Sequence, residues 1–255
     1  MLDFNVYQRP DYAIGNFINC TPTIQTLSKY FKDKIPVFFA SKFVQDMYLK
    51  CPFIRIIGNE EASKLKTLFT SGMVNQDVPD WIYIHRKIMG SLCPGIEDIP
   101  HTYVDSYDPP DELKDKKYAV IVRGGVRNKF FDRKNIPEDV YKHIIDKIKD
   151  KYEIVFIGGR KDMDLLDPLI AYSKTRNVYI GNMKKSLGIL NGAFIVISND
   201  TGMYHASGAL NKHTFVLWKQ TNIKKNKSPG QCCFFSFENK WKEDFNEWYK
   251  QFNND

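Results

Sequence analysis

The sequence predicts an α/β protein made of two Rossmann-like domains, with parallel sheets facing a central cleft and a helix at the C-terminal end. Three observations predict it. Short runs that are nearly all apolar, such as Tyr118–Val122 and Phe194–Ser198, alternate with longer windows of helical periodicity, as expected of parallel strands covered on both faces. The alternation stops and restarts around Asp108-Pro109-Pro110-Asp111, whose turn chemistry marks a linker. Finally, 255 residues suffice for two domains of roughly 120 residues, each able to bury its own core. The expected boundaries are 1–112 and 113–255.

In the first half, Phe4–Gln8 reads as a strand and Ile18–Phe31 as a helix with Ile18, Ile24, Leu27 and Phe31 on its apolar face. Ile35–Ala40 is the second strand, and Ser41 can cap a helix over Lys42–Leu49. Phe53–Ile57 is a third strand, Glu60–Phe69 a polar-faced helix, and Trp81–Ile84 a fourth strand before the Cys93-Pro94-Gly95 break. The second half repeats the pattern. Strands are expected at Tyr118–Val122, Glu153–Ile157, Val178–Ile180, Phe194–Ser198 and Thr214–Trp218. Helices are expected at Pro137–Lys149, Met163–Ser173, Lys184–Leu190 and Gly202–Leu210. Trp241, Phe245, Trp248, Tyr249 and Phe252 then form an aromatic stripe at helical spacing, suited to docking on a domain or to serving as an acceptor platform.

Composition is that of a globular protein: 43% apolar, 26% charged, 15 Gly and 12 Pro, which excludes disordered and collagen-like classes. No apolar run reaches the ~18–20 residues needed to span a bilayer, and Met1-Leu2-Asp3-Phe4-Asn5 does not begin a signal peptide. A soluble, cytoplasmic protein without a transmembrane segment is expected. The five cysteines include no CxxC pair, so neither a disulfide framework nor a structural zinc is expected. The net charge of +7 is uneven. Residues 1–112 hold 11 Lys and Arg against 14 Asp and Glu, a net −3, which leaves +10 for the remainder. The basic half should meet an anion, unless its lysines are merely solvated helix faces.

Two segments carry chemistry. Ile195–Asn199 is followed by Asp200-Thr201-Gly202 and then a helix bearing His205. There, free backbone N–H groups and the positive helix end can hold a phosphate, with the Thr201 hydroxyl and His205 nearby. A plain helix cap by Asn199 or Asp200 is the alternative. In Arg123-Gly124-Gly125 and the basic residues that follow, including Lys134, glycines allow close backbone approach while cations neutralise a diphosphate. A solvated loop is the alternative here. No Walker A loop occurs. Phe156-Ile157-Gly158-Gly159-Arg160 is a further glycine turn that could offer backbone contacts through Gly158. Asp162-Met163-Asp164 has DxD spacing but opens a helix, where acids favour the dipole.

Together these segments resemble glycosyltransferase family 9, the bacterial heptosyltransferases. The stretch from Gly181 through Leu190 to Asp200-Thr201-Gly202, His205 and Ala209-Leu210 is similar to the family's donor-site signature in the second domain of a GT-B fold. Lys134-Asn135-Ile136-Pro137 resembles Lys-x-Trp-Pro, with Ile136 in place of Trp. The resemblance gives Lys134 contact with the donor phosphates. Ile14-Gly15-Asn16 through Pro22 is similar to the family's Gly-Asp loop. Trp218-Lys219-Gln220-Thr221-Asn222 keeps only the Thr of Phe-Gly-Pro-Thr. The likeness is clear in the second half and thin over residues 60–115.

One departure bears on mechanism. The family's loop supplies a carboxylate as general base, and this chain has Asn16 there; an amide takes up no proton at neutral pH. Other groups in the same half are Asp11, His85, His101 and Asp105, each also readable as a surface or packing residue. The resemblance implies inverting transfer of a sugar from a nucleotide diphosphate sugar to an acceptor hydroxyl, with no metal and no cofactor beyond the donor. Helix dipoles and basic side chains would stabilise the leaving group. The expected acceptor is a cell-surface saccharide. Two alternatives stand: a phage-type enzyme glycosylating hydroxymethylated DNA, and a non-catalytic nucleotide-sugar binding protein. A dehydrogenase is disfavoured, because no GxGxxG follows the first strand.

Overall fold

The computed structural model describes residues 2–8, 14–70, 100–125, 134–220, 223, 232–237 and 239–252. The described residues form two compact units, one drawn from residues 1–105 and 222–231 and one from residues 106–221 and 232–255.

The first unit holds a parallel sheet in the order β3-β2-β1-β4. Its elements are β1 (Phe4–Gln8), α1 (Ile14–Ile18), α2 (Thr21–Phe31), β2 (Ile35–Phe39), α3 (Lys42–Gln45), β3 (Ile54–Ile57), α4 (Asn59–Ser63) and β4 (Lys66–Thr70). Val6, Ile24, Leu27, Ile35 and Val37 are fully buried. The helix expected over Ile18–Phe31 starts three residues later, at Thr21, and Ile18 instead closes the separate helix α1. Thr21 Oγ1 donates to the Ile18 carbonyl at 2.7 Å, and Pro22 sits in the first turn of α2, where a missing N–H costs nothing.

Two expectations in this unit are corrected. Lys42–Leu49 is helical only to Gln45, because the Met47 carbonyl and Lys50 N–H bind Asp105 instead, at 2.8 and 2.7 Å. The helix expected over Glu60–Phe69 ends at Ser63, and Lys66–Thr70 is a strand paired with β1. Asn5 draws the turn onto the sheet, its Nδ2 donating to the Ala62 carbonyl at 3.0 Å. Thr67, Phe69 and Thr70 are residue types that suit a strand. The strand expected at Trp81–Ile84 lies outside the described residues.

The second unit has β5 (Tyr118–Val122), α5 (Glu138–Ile148), β6 (Glu153–Gly158), α6 (Met163–Ser173), β7 (Val178–Ile180), α7 (Met183–Gly192), β8 (Ile195–Asn199), α8 (Gly202–Ala209), β9 (Thr214–Trp218), β10 (Cys233–Phe237) and α9 (Trp241–Lys250). Its six parallel strands run β7-β6-β5-β8-β9-β10, the doubly wound 3-2-1-4-5-6 order, whose direction of winding reverses between β5 and β8. Both are buried along their length, as the apolar runs predict.

Sequence reasoning missed β10, although Phe234, Phe235 and Phe237 suit a strand. The aromatic stripe docks: Phe245 and Trp248 lie 5.2 and 5.3 Å from Phe215, and Tyr249 and Phe252 join the same core. Each buried ring contributes roughly 1.5–3 kcal/mol. Asp108-Pro109-Pro110, expected as a linker, is packed on α7. A Cβ at Gly188 would meet the Asp108 carbonyl oxygen at 2.2 Å, and Asn191 Nδ2 donates to the Tyr107 carbonyl at 3.0 Å.

Candidate functional site

In doubly wound sheets ligands gather beyond the carboxyl ends of the strands where winding reverses. In the second unit that point lies between β5, which runs into Arg123-Gly124-Gly125, and β8, which runs into Asp200-Thr201-Gly202. The two segments singled out in the sequence therefore sit side by side, with Val122 opposite Ser198.

Asn199 joins them. Its Oδ1 accepts from Gly124 N at 3.3 Å, and its Nδ2 donates to the carbonyls of Gly124 at 2.9 Å and Lys134 at 3.0 Å. The side chain thus extends the main-chain ladder one step past the strands and anchors Lys134 to the same point. Neither Asn199 nor Asp200 caps the next helix; Thr201 does, its Oγ1 accepting from Met203 N at 3.3 Å.

Lys134 places its ammonium 2.9 Å from Asp200 Oδ2, with the carboxylate side chain 4% exposed and the lysine 32%. A cation is thereby fixed beside the N-terminus of α8; the lysine and the helix dipole favour an anion there, while the buried Asp200 carboxylate offsets part of the lysine's charge. His205, on the first turn of α8, is 6% exposed. Burial, reinforced by the charge of Lys134, pulls its imidazole down to about 3. The ring is therefore neutral at pH 7, able to donate or accept a hydrogen bond without carrying charge, and it lies 3.9 Å from the ring of Tyr204.

Arg123 turns inward. Its Nη1 donates to the Leu165 carbonyl at 2.8 Å and its Nη2 to the Ile136 carbonyl at 3.2 Å, with the guanidinium over Tyr141. It ties β5 to the starts of α5 and α6. Gly158 ends β6, and the turn after it is bound by Asp162, whose carboxylate accepts from Gly159 N at 2.8 Å and Gly125 N at 3.2 Å. Gly124 and Gly125 are required: a Cβ at 124 would overlap the Asp162 carboxylate at 2.4 Å, and Gly125 has φ +140°.

In the first unit, Asn16 is half-buried on α1 and its carbonyl accepts from Cys20 Sγ at 3.2 Å. His101 is exposed. Asp105 is 0% exposed and its carboxylate accepts from Lys50 N at 2.7 Å and Tyr103 Oη at 3.2 Å, which makes it a brace for the turn after α3. Burial, with the charge of Asp105 adding, pushes the neighbouring Cys51 thiol up to about 12. Asp11 and His85 lie outside the described residues. Sequence reasoning missed the bridging roles of Asn199 and Asp162; an Asn ending a buried strand was the available signal for the first. Among the described residues no three His, Cys, Asp or Glu side chains form a metal-binding group, and no helix is long and apolar enough to cross a membrane.

Comparison with known proteins converges on one family. Residues 92–240, more than half of the chain, match the model of glycosyltransferase family 9 (heptosyltransferase). No curated protein matches the sequence significantly. Among solved structures, the chain is similar to a family 9 glycosyl transferase from Veillonella parvula, with TM-score 0.72 and 14% identity, over 98% of this chain and 89% of that one. It is also similar to the E. coli ADP-heptose lps heptosyltransferase II, with TM-score 0.75 and 11% identity, over 97% and 99%. Against E. coli heptosyltransferase WaaC with ADP the values are 0.70 and 14%, over 96% and 99%. At these identities the likeness shows the fold, which is GT-B.

Proposed function

The chain belongs to glycosyltransferase family 9, and from that premise we propose that it moves a sugar from a nucleoside diphosphate sugar to a saccharide hydroxyl, with inversion and without a metal. The donor diphosphate lies beyond β5 and β8. The observation that carries this reading is the convergence of the Arg123-Gly124-Gly125 turn, the Lys134 ammonium and the α8 N-terminus at the reversal of winding. An ADP-sugar is the first donor to test, because WaaC was solved with ADP and with ADP-2-deoxy-2-fluoro heptose.

In the proposed step the acceptor oxygen bonds to the anomeric carbon while that carbon's bond to the β-phosphate oxygen breaks. The nucleoside diphosphate leaves with the electron pair. Its growing charge is met by the Lys134 ammonium and by the N–H groups that open α8, dipoles already in place before the bond breaks. Neutral His205 adds a hydrogen bond there without competing for charge. The acceptor proton must pass to a base. Asn16 takes none, and the Asp105 carboxylate is engaged by Lys50 and Tyr103. Of the described candidates His101 is the exposed one, and a histidine is a side-chain type able to take such a proton.

Incubation with ADP-, GDP- and UDP-sugars, with mass spectrometry of the products, tests the reading. Sugar mass gained by an oligosaccharide acceptor, with nucleoside diphosphate released, is the expected result. Gain on duplex DNA bearing hydroxymethylated bases would move the acceptor to nucleic acid. Nucleotide binding with no product in any arm would replace transfer by binding alone.

A further inference from the structure

Asp162 occupies the N-cap position of α6 without bonding that helix; its carboxylate instead closes the capping box of the 3-10 turn Arg160–Asp162 that leads into it. The carboxylate is turned toward the sheet. Its Oδ2 accepts from Gly159 N at 2.8 Å and its Oδ1 from Gly125 N at 3.2 Å. One side chain thus holds the turn after β6 against the turn after β5, which are 34 residues apart in sequence.

The glycine turn after β5 is pinned from its other side by Asn199, through both N and O of Gly124. Beyond these two clamps, the bare α-carbon of Gly125 faces the cap of α8: a Cβ there would stand 3.7 Å from Thr201 Cγ2. The glycine turn therefore lies beside the helix N-terminus, and Asp162 holds it there from the β6 side. The fit leaves no room for a side chain at 124 while the Asp162 carboxylate stays in place. A methyl there would lie 2.4 Å from Asp162 Cγ, and the carboxylate could yield only by releasing both N–H groups.

We infer that Asp162 is a positioning residue for the donor diphosphate, holding the Gly124-Gly125 turn at the spacing from α8 that the diphosphate requires. This rests on the donor site proposed above. Asp162 touches no substrate in this scheme and acts through the Gly125 and Gly159 backbone.

The test is calorimetric titration of the full chain with ADP and, separately, adenosine, for the wild type, Asp162→Asn, Gly124→Ala and the double variant, with thermal unfolding alongside. Asparagine keeps one acceptor but sets an NH₂ against the second N–H. It should weaken ADP binding about tenfold, the effect of losing one well-formed charged hydrogen bond, while adenosine affinity stays within twofold. Gly124→Ala should do the same by displacing the same carboxylate, so the double variant should be no weaker than the worse single one. Unchanged ADP affinity in Asp162→Asn, or an equal loss for ADP and adenosine, would overturn the assignment. Should the wild type bind no nucleoside diphosphate at all, the donor-site reading fails and this inference fails with it; wild-type binding with an unaffected Asp162→Asn sinks the inference alone.

Discussion

Asn199→Ala removes three hydrogen bonds at once. The residue is 2% exposed, and its amide serves Gly124 N, Gly124 O and Lys134 O at 3.3, 2.9 and 3.0 Å. The Gly124 groups are buried. At about 1 kcal/mol net per bond, and more for each buried group left without a partner, the expected loss is about 3 kcal/mol or above. For a unit of this size that corresponds to a fall in Tm of roughly 6–12 °C. Differential scanning calorimetry reads it directly. Asn199→Asp sharpens the test, because a carboxylate keeps the acceptor for Gly124 N but faces two carbonyls with negative charge. That variant should be less stable than Asn199→Ala at pH 7 and recover part of the deficit near pH 4, where protonation restores one donor. The direction follows from linkage: facing the carbonyls raises the folded-state pKa, so stability is lost as pH rises through it. A Tm within about 2 °C of wild type for Asn199→Ala would refute the bridging role, since three buried bonds cannot be lost at so small a cost.

Lys134→Met should cut nucleoside diphosphate affinity by about tenfold or more and lower the salt dependence of binding, as read by calorimetry at two ionic strengths; equal affinity would remove the lysine from the donor site. His205 is neutral when folded and titrates near its ordinary value when unfolded, so its folded pKa of about 3 makes acid unfavourable. Stability falls as pH drops from about 6.5 toward 3, by up to about 1.4 kcal/mol per pH unit. His205→Gln should show a shallower decline in urea unfolding between pH 7 and 4, and an identical slope would contradict the buried neutral state. Gly188→Ala drives a methyl into the Asp108 carbonyl and should cost about 1–3 kcal/mol, seen as a lower urea midpoint; a neutral result would mean that the Pro-Pro segment does not hold α7.

The second unit was legible because its strands are buried on both faces. Runs such as Tyr118–Val122 and Ile195–Asn199 have no competing periodicity, and the helices between them end at polar or glycine breaks. The misread elements are those whose state depends on a distant partner. Lys66–Thr70 has helix-compatible residues and becomes a strand because the edge beside β1 is open to it. Lys42–Leu49 stops early because Asp105, far along the chain, takes its backbone groups. β10 lacks any local alternation, with burial falling on Ser236 while Phe237 is exposed, so no pattern marks it. At the site, Asp200-Thr201-Gly202 and Lys134 could be read because residue type and position beside a strand end imply anion binding. Asp162 could not, because an acid at a helix start is expected to serve that helix, and only the fold brings Gly125 within its reach.

The shared anchoring on Asn199 has a consequence for communication across the site. The glycine turn and the Lys134 main chain hang on the same Nδ2, at 2.9 and 3.0 Å, so neither can shift alone without stretching the bond to the other. A ligand that draws the lysine inward therefore preorders the turn, and one that seats against the turn presets the lysine. By reciprocity the two contacts reinforce each other with equal coupling in both directions. A fragment able to reach only one of them should gain less than its proportionate share of the affinity of a ligand that engages both.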